Sequence, residues 1–357
     1  MKKMIIYMPK LSVGGMEKAL LNLLNFSDLT KIYEIELFLG YVLEKEYLKL
    51  IPKNVKIVIC CKKKWNILGK IKAYFKMNLK RIKILLKVDK YDVAISYAYQ
   101  HAILASLARM SSKNNIIFVH NNLLLARSKK QIDCIKFDKF SKVICVSNDA
   151  KKAFYHCFPK YDGKVEVINN YIDGDHIIES AKEEINFEYE KPVFINIARH
   201  EEKSKKISRI IESAKLLKEK KYIFSILLIG DGKDHQMYKK MIEENGLTDV
   251  IKLLGKQVNP YKYLIKSNAF ILSSAYEGYG IVIDEARILN VPVISTDVAD
   301  AKKILKTGFG ILCDNSSEGI YQGIKKYLDE GYIIKKTFDY KAFNRKITSQ
   351  LNRFIEE

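Results

Sequence analysis

Short apolar runs alternate with longer helical patterns from one end of this chain to the other, and that alternation most constrains its fold. Parallel strands joined by crossover helices produce such a pattern. In the first half the strand candidates are Met4–Met8, Ile35–Leu39, Val55–Cys60, Val93–Ser96, Ile116–Val119 and Val143–Val146. In the second they are Val193–Ala198, Ser225–Ile229, Val250–Leu254, Ala269–Ser273 and Pro292–Ser295. Nearly continuous apolar strands suit a sheet covered by helices on both faces. At 357 residues the chain exceeds what one core usually serves, so two α/β domains are expected. The break falls near Val165–Asp173, where VEVINNYID closes one series and a charged stretch precedes the next strand. The expected organisation is a first doubly wound domain over 1–170, a second over 171–338, and a terminal helix over 339–357. Phe343, Ile347, Leu351 and Ile355 recur at helical spacing, which suits packing of that helix back on the first domain. Two such domains facing one another leave a central cleft at their strand C-terminal ends, where ligands of open α/β sheets bind.

The N-terminal MKKMIIYMPKL superficially resembles a signal peptide. Its apolar stretch is too short and a glycine turn follows, so a first strand and a cytoplasmic protein are expected. No apolar run approaches the roughly 20 residues of a membrane span. The six cysteines lack metal or redox spacing, and Cys60–Cys61 are adjacent, so buried reduced thiols are expected. The formal charge is +21, yet only eight of the 62 basic residues are arginine. A drift toward A/T-rich codons accounts for part of that lysine excess; the remainder favours anionic partners.

Four segments carry chemistry. In SSAYEGYGIVIDEARILNVPVIST, a strand ends at Ser273–Ser274 and a helix starts near Ile281. The intervening loop Gly278-Tyr279-Gly280 leads into a helix N-terminus whose free N–H groups and dipole suit a diphosphate. Glu277 at the loop mouth and Glu285 one turn into the helix suit sugar hydroxyls; solvated carboxylates are the plainer alternative. In IARHEEKSKK, Arg199 stands at a strand end with Lys203, Lys205 and Lys206 following, cations that suit a leaving diphosphate. For Lys203 and Lys206 a solvated loop charge is the preferred reading. Gly230-Asp231-Gly232 follows a further strand as a tight turn, and Gly14–Gly15 separates the first strand from an apolar helix. His120 follows Ile116–Val119, where a histidine serves either packing or chemistry. Asp173-Gly174-Asp175 has the D-x-D form of a divalent-metal site but lies at the expected linker, so no metal is assigned.

Together these motifs resemble the retaining family 4 glycosyltransferases, of GT-B architecture with two Rossmann-like domains. Glu277 and Glu285 stand at the family's E-x7-E spacing, and EGYGIVIDEA resembles its EGFGLVLLEA form. Arg199 and Lys205 match its Arg and Lys motif, Gly230-Asp231-Gly232 its G-x-G turn, and Asn170-Tyr171-Ile172-Asp173 its NGID linker. Gly14-Gly15-Met16-Glu17 resembles the first-loop GGAE, and His120 falls where many members carry a cleft histidine. Departures are Asn290-Val291-Pro292 for the usual G-x-P, Tyr171 for a usual glycine, and VADAKK after Asp297 without the usual glycines and glutamate. The resemblance implies a nucleoside-diphosphate sugar donor, UDP-sugar favoured, and no metal or other cofactor. Arg199 and Lys205 would then hold the diphosphate, and Glu285 the ribose. Glu277 and the amides of Gly278, Tyr279, Gly280 and Ile281 would hold the sugar. The implied reaction is retaining transfer of a hexose or N-acetylhexosamine to a bacterial surface polysaccharide or lipid-linked oligosaccharide.

The segment KKKWNILGKIKAYFKMNLKRIKILLK, Lys62–Lys87, alternates an apolar stripe with basic faces. Trp65, Lys70, Lys72, Lys76, Lys80 and Arg81 suit an anionic membrane surface, placing the protein peripherally at the inner face of the cell membrane. An ordinary helix packed on its sheet is the alternative. Competing functions are another GT-B reaction, such as an epimerase, and a basic nucleic-acid-binding protein. The latter is disfavoured because basic and aromatic residues do not interleave as single-strand binding requires.

Overall fold

The computed structural model describes residues 1–12, 14–61, 79, 90–99, 101–126 and 129–357. The six basic-segment residues named above lie outside them. The described chain divides into two compact units, Met1–Ile172 with Ala342–Glu357, and Asp173–Lys341.

Among the described residues the first unit carries a parallel sheet of β1 (Lys2–Leu11), β2 (Tyr33–Val42), β3 (Lys56–Cys61), β4 (Val93–Ser96), β5 (Asn114–Val119), β6 (Lys142–Cys145) and β7 (Lys164–Val167). Their order is β3-β2-β1-β4-β5-β6-β7. The centre of β1 pairs with β2 on one side (Ile6 with Leu37) and β4 on the other (Ile6 with Ile95), so its side chains from Met4 to Met8 are all buried. The terminal helix Tyr340–Glu356 buries Ile347, Leu351, Phe354 and Ile355. Lys142 Nζ and Asn114 Nδ2 each donate 2.9 Å bonds to the Ile355 carbonyl, which caps the helix end. Asn344 closes the other end of this packing by exchanging bonds with both backbone groups of Ile172.

The second unit carries β8 (Val193–Ile197), β9 (Ser225–Ile229), β10 (Ile251–Gly255), β11 (Ala269–Leu272), β12 (Val293–Thr296) and β13 (Gly310–Cys313), in the order β10-β9-β8-β11-β12-β13. All neighbours are parallel. Strand order therefore reverses direction between β8 and β11, the switch point at which folds of this kind bind ligands. Apolar side chains of β8, β9 and β11 pack with Ile210, Ile211, Ala214 and Leu217 of the helix Ser208–Glu219.

Cys60, Cys145 and Cys313 are buried free thiols, while Cys134 is exposed, against expectation. Ile132 in the helix Lys129–Asp133 and Ile135 in the turn after it are buried, while Cys134 between them is on the outer side. No helix among the described residues is long and apolar enough to cross a membrane.

Candidate active site

The site in the second unit grows from its central strand ends. Past β8 and β9 the backbones stay bonded: Ala198 N donates to Ile229 O at 3.0 Å, and His200 N to Asp231 O at 3.0 Å. Two glycines permit this approach. A Cβ on Gly230, whose φ is +142°, would lie 1.8 Å from Ala198 O, and one on Gly232 would lie 2.4 Å from His200 O. The G-x-G turn therefore has a backbone reason of its own, independent of any ligand. Asp231 is exposed and its Oδ1 accepts from Gly232 N. Between Ala198 and His200, Arg199 is exposed at the end of β8, with no side-chain partner among the described residues.

The short helix Glu202–Lys205 then carries Lys205 back to the sheet edge. Its Nζ donates to Glu277 Oε1 at 2.5 Å, and Ser274 Oγ donates to the same oxygen at 2.6 Å. This pair joins the loop after β8 to the loop after β11, so it spans the point where the strand order reverses. The backbone supports it twice: Ser273 Oγ donates to Lys205 O at 2.8 Å, and Ala275 N to Ser204 O at 2.8 Å. Arg209 Nη1 donates to Ser273 O and to Asn315 Oδ1, while Asn315 Nδ2 donates to Ala275 O. Lys206 pairs with Glu202 at 3.4 Å, and Lys203 is exposed.

After Glu277 the chain turns through buried Gly278, Tyr279 and Gly280, the last left-handed at φ +82°, into the helix Ile281–Ile288. Glu285 is 5% exposed, and Tyr261 OH donates to its Oε1 at 3.1 Å. A buried carboxylate suits recognition of a neutral polyol such as a ribose. The Tyr279 phenol is buried and donates to Asp284 Oδ2 at 2.5 Å, so within this loop its amide is the group left to a ligand.

In the first unit, the loop between β1 and the helix Gly15–Phe26 is closed by Ser12 Oγ, which donates to Glu17 Oε1 at 2.7 Å. A Cβ on Gly14 would lie 2.5 Å from Glu17 Oε2, whereas Gly15 faces open space. His120, just past β5, is 7% exposed and donates from Nε2 to Tyr97 O at 2.7 Å. Its ring stacks on Phe118 and tilts against Tyr97. Burial pushes its pKa down to about 4 against the opposing carbonyl bond, so the ring is neutral at pH 7. With Nε2–H fixed as donor, Nδ1 keeps the lone pair and can accept from a hydroxyl.

Residues 177–352 match the family model for glycosyl transferases group 1. The chain is a glycosyltransferase whose second half carries the group 1 domain. It is 25% identical over 360 residues to the N-acetylgalactosamine-N,N'-diacetylbacillosaminyl-diphospho-undecaprenol 4-alpha-N-acetylgalactosaminyltransferase of Campylobacter jejuni, covering 97% of this chain and 95% of that protein. It is 32% identical over 167 residues to an uncharacterized glycosyltransferase of Methanocaldococcus jannaschii, a match that takes in 45% of this chain and 41% of the relative's length. Among solved structures it resembles Anabaena HepE in complex with UDP and glucose, with TM-score 0.74, 15% identity and full coverage of both chains. That likeness shows a shared fold, GT-B with two Rossmann-like domains.

The glycosyltransferase thus brings Lys205 and Glu277 into direct contact and sets Arg199 and Glu285 on elements that adjoin them. Four supporting residues escaped sequence reading: Ser274, Tyr261 and the histidine pair His200–His235. The last stacks at 4.9 Å with Nδ1 atoms 2.9 Å apart, and Asp231 lies 3.7 Å from His235. Burial, then the second imidazole, pushes His200 down to about 4. Only its adjacency to Arg199 could have flagged it. Asp173 and Asp175 have local roles: the first caps the helix Gly174–Ala181, and the second accepts from Tyr340 OH at 2.6 Å. Among the described residues no cluster of three His, Cys, Asp or Glu is placed to hold a metal ion.

Proposed function

We propose that this glycosyltransferase moves a hexose or N-acetylhexosamine, with retention, from a nucleoside-diphosphate sugar to a sugar hydroxyl of a lipid-linked or surface glycan. The Lys205–Glu277 contact across the β8/β11 crevice carries this reading. Without donor, the two charges satisfy one another. An arriving diphosphate competes for Lys205 and meets unpaired Arg199, releasing Glu277 to accept from sugar hydroxyls. The free amides of the helix Ile281–Ile288 face the same negative charge. As the bond between the anomeric carbon and the phosphate oxygen breaks, both cations offset the charge gathering on the departing diphosphate. The acceptor oxygen bonds the carbon on the same face, and its proton passes to the leaving phosphate. His120, neutral with Nδ1 available, is proposed to accept from a substrate hydroxyl. Gly14 and Gly15 are proposed to line the acceptor side.

The Anabaena complex with UDP and glucose supports a uridine donor, and the diphospho-undecaprenol substrate in the Campylobacter relative's name supports a lipid-linked acceptor. A cytoplasmic protein docked on an anionic membrane through Lys62–Lys87 would meet such an acceptor, and flotation with anionic vesicles tests that docking. A thermal-shift screen against UDP-, GDP- and ADP-sugars tests the donor class, since a bound donor stabilises the folded state. Nucleoside diphosphate should appear only when acceptor is present; its release without acceptor would favour the epimerase alternative. Lys205→Ala and Glu285→Ala should each remove turnover while the far-ultraviolet spectrum is kept. Full activity in either variant overturns the site. Turnover should persist in excess EDTA.

A further inference from the structure

The loop proposed to grip the donor sugar leads into a chain of buried and part-buried contacts that the reaction itself does not use. Of residues 278–280 only Tyr279 has a side chain, so its phenol is the anchor between two glycines. That phenol donates to Asp284, which is fully buried and also ion-pairs with Arg287 one turn later. The Arg287 guanidinium lies 4.5 Å from the centroid of the Phe309 ring and 3.7 Å from that of Phe338. Its Nε is buried without an acceptor among the described residues. Phe338 stands three residues before Lys341, where the chain leaves the second unit.

An apolar pair would fill this space without burying charge, and replacing a buried ion pair by hydrophobic residues is often neutral or stabilising. EGFGLVLLEA, the form this segment resembles, has Phe and Leu where this chain has Tyr279 and Asp284, so hydroxyl and carboxylate depart from it together. A buried network with an unsatisfied Nε is poor for stability and good for holding one geometry. We propose that Tyr279, Asp284, Arg287 and Phe338 are positioning residues that fix the Glu277–Ile281 loop, and so set affinity for the sugar half of the donor. This inference rests on the donor-site reading above.

Calorimetry with UDP, UDP-glucose and UDP-N-acetylglucosamine tests it. The wild-type protein should bind a sugar nucleotide more tightly than UDP. Tyr279→Phe and Phe338→Leu should each weaken sugar-nucleotide binding about fivefold while leaving UDP affinity in place. Phe338→Tyr, which keeps the aromatic face, should restore wild-type affinity. The Tyr279→Phe/Phe338→Leu double variant should lose no more than the worse single one, because both act through one chain of contacts. Equal losses for UDP and its sugars, strictly additive losses, or no loss would overturn the relay and leave the donor site standing. Wild-type protein that binds none of the three ligands, nor a GDP- or ADP-sugar, would overturn both.

Discussion

Asn290 shows how a departure from a family pattern can preserve its physics. It follows the helix Ile281–Ile288 at φ +54°, and the chain ends that helix with paired bonds, Asn290 N to Arg287 O and Val291 N to Ala286 O. This closure needs a left-handed residue, which glycine adopts freely and asparagine best among the rest. Asn290→Val should therefore cost about 1–2 kcal/mol in urea unfolding, and Asn290→Gly should change stability by no more than about 0.5 kcal/mol. Gly230 has no such substitute. With a Cβ 1.8 Å from Ala198 O, Gly230→Ala must displace the strand end that carries Arg199. It should lose about 3 kcal/mol of stability and, with it, nucleotide affinity. Unchanged unfolding and binding would show that the two loops do not touch as described.

At the scale of elements, the site depends on short pieces packed by their neighbours. The helix Tyr261–Leu264 is a single turn, yet it supplies the hydroxyl that orients Glu285. Tyr261→Phe should leave the unfolding midpoint nearly unchanged and weaken nucleoside-diphosphate binding several-fold, because Glu285 loses the bond that fixes its position. Calorimetry with UDP measures this, and intact affinity would mean Glu285 is oriented otherwise. Strands were legible in sequence where apolar runs stand alone, as in β9 and β11, all of whose residues are buried. β7, reading KVEV, and β13, reading GILC, were not singled out. Each has four residues and only partial burial, and the pairing of β7 with β6 and of β13 with β12 is what makes it a strand.

Across the whole molecule, acid should act on both units through histidines held neutral. His120 in the first and His200 in the second have pKa values pushed from the usual 6.5 to about 4 by burial. Below pH 6.5 the unfolded chain binds protons that the folded chain refuses, so stability present above 6.5 is lost progressively as pH falls toward 4. Unfolding free energies from urea titrations at pH 7 and 4.5 should differ on the order of 2 kcal/mol or more. His120→Asn and His200→Asn should each lower the midpoint at pH 7 while flattening that pH dependence. An acid slope unchanged in both variants would assign the loss to other groups.

The α/β alternation and the residue types at the β8 and β11 loop mouths were legible in the sequence alone. These are local properties: apolar period, glycine at turns and charge beside a strand end are written in contiguous residues. It took the packed fold to bring Lys205 against Glu277, to turn the Tyr279 phenol inward to Asp284, and to set Arg287 against the Phe309 and Phe338 rings. Those partners are brought together by strand order and by the packing of helices on a sheet. Local spacing carries no record of either.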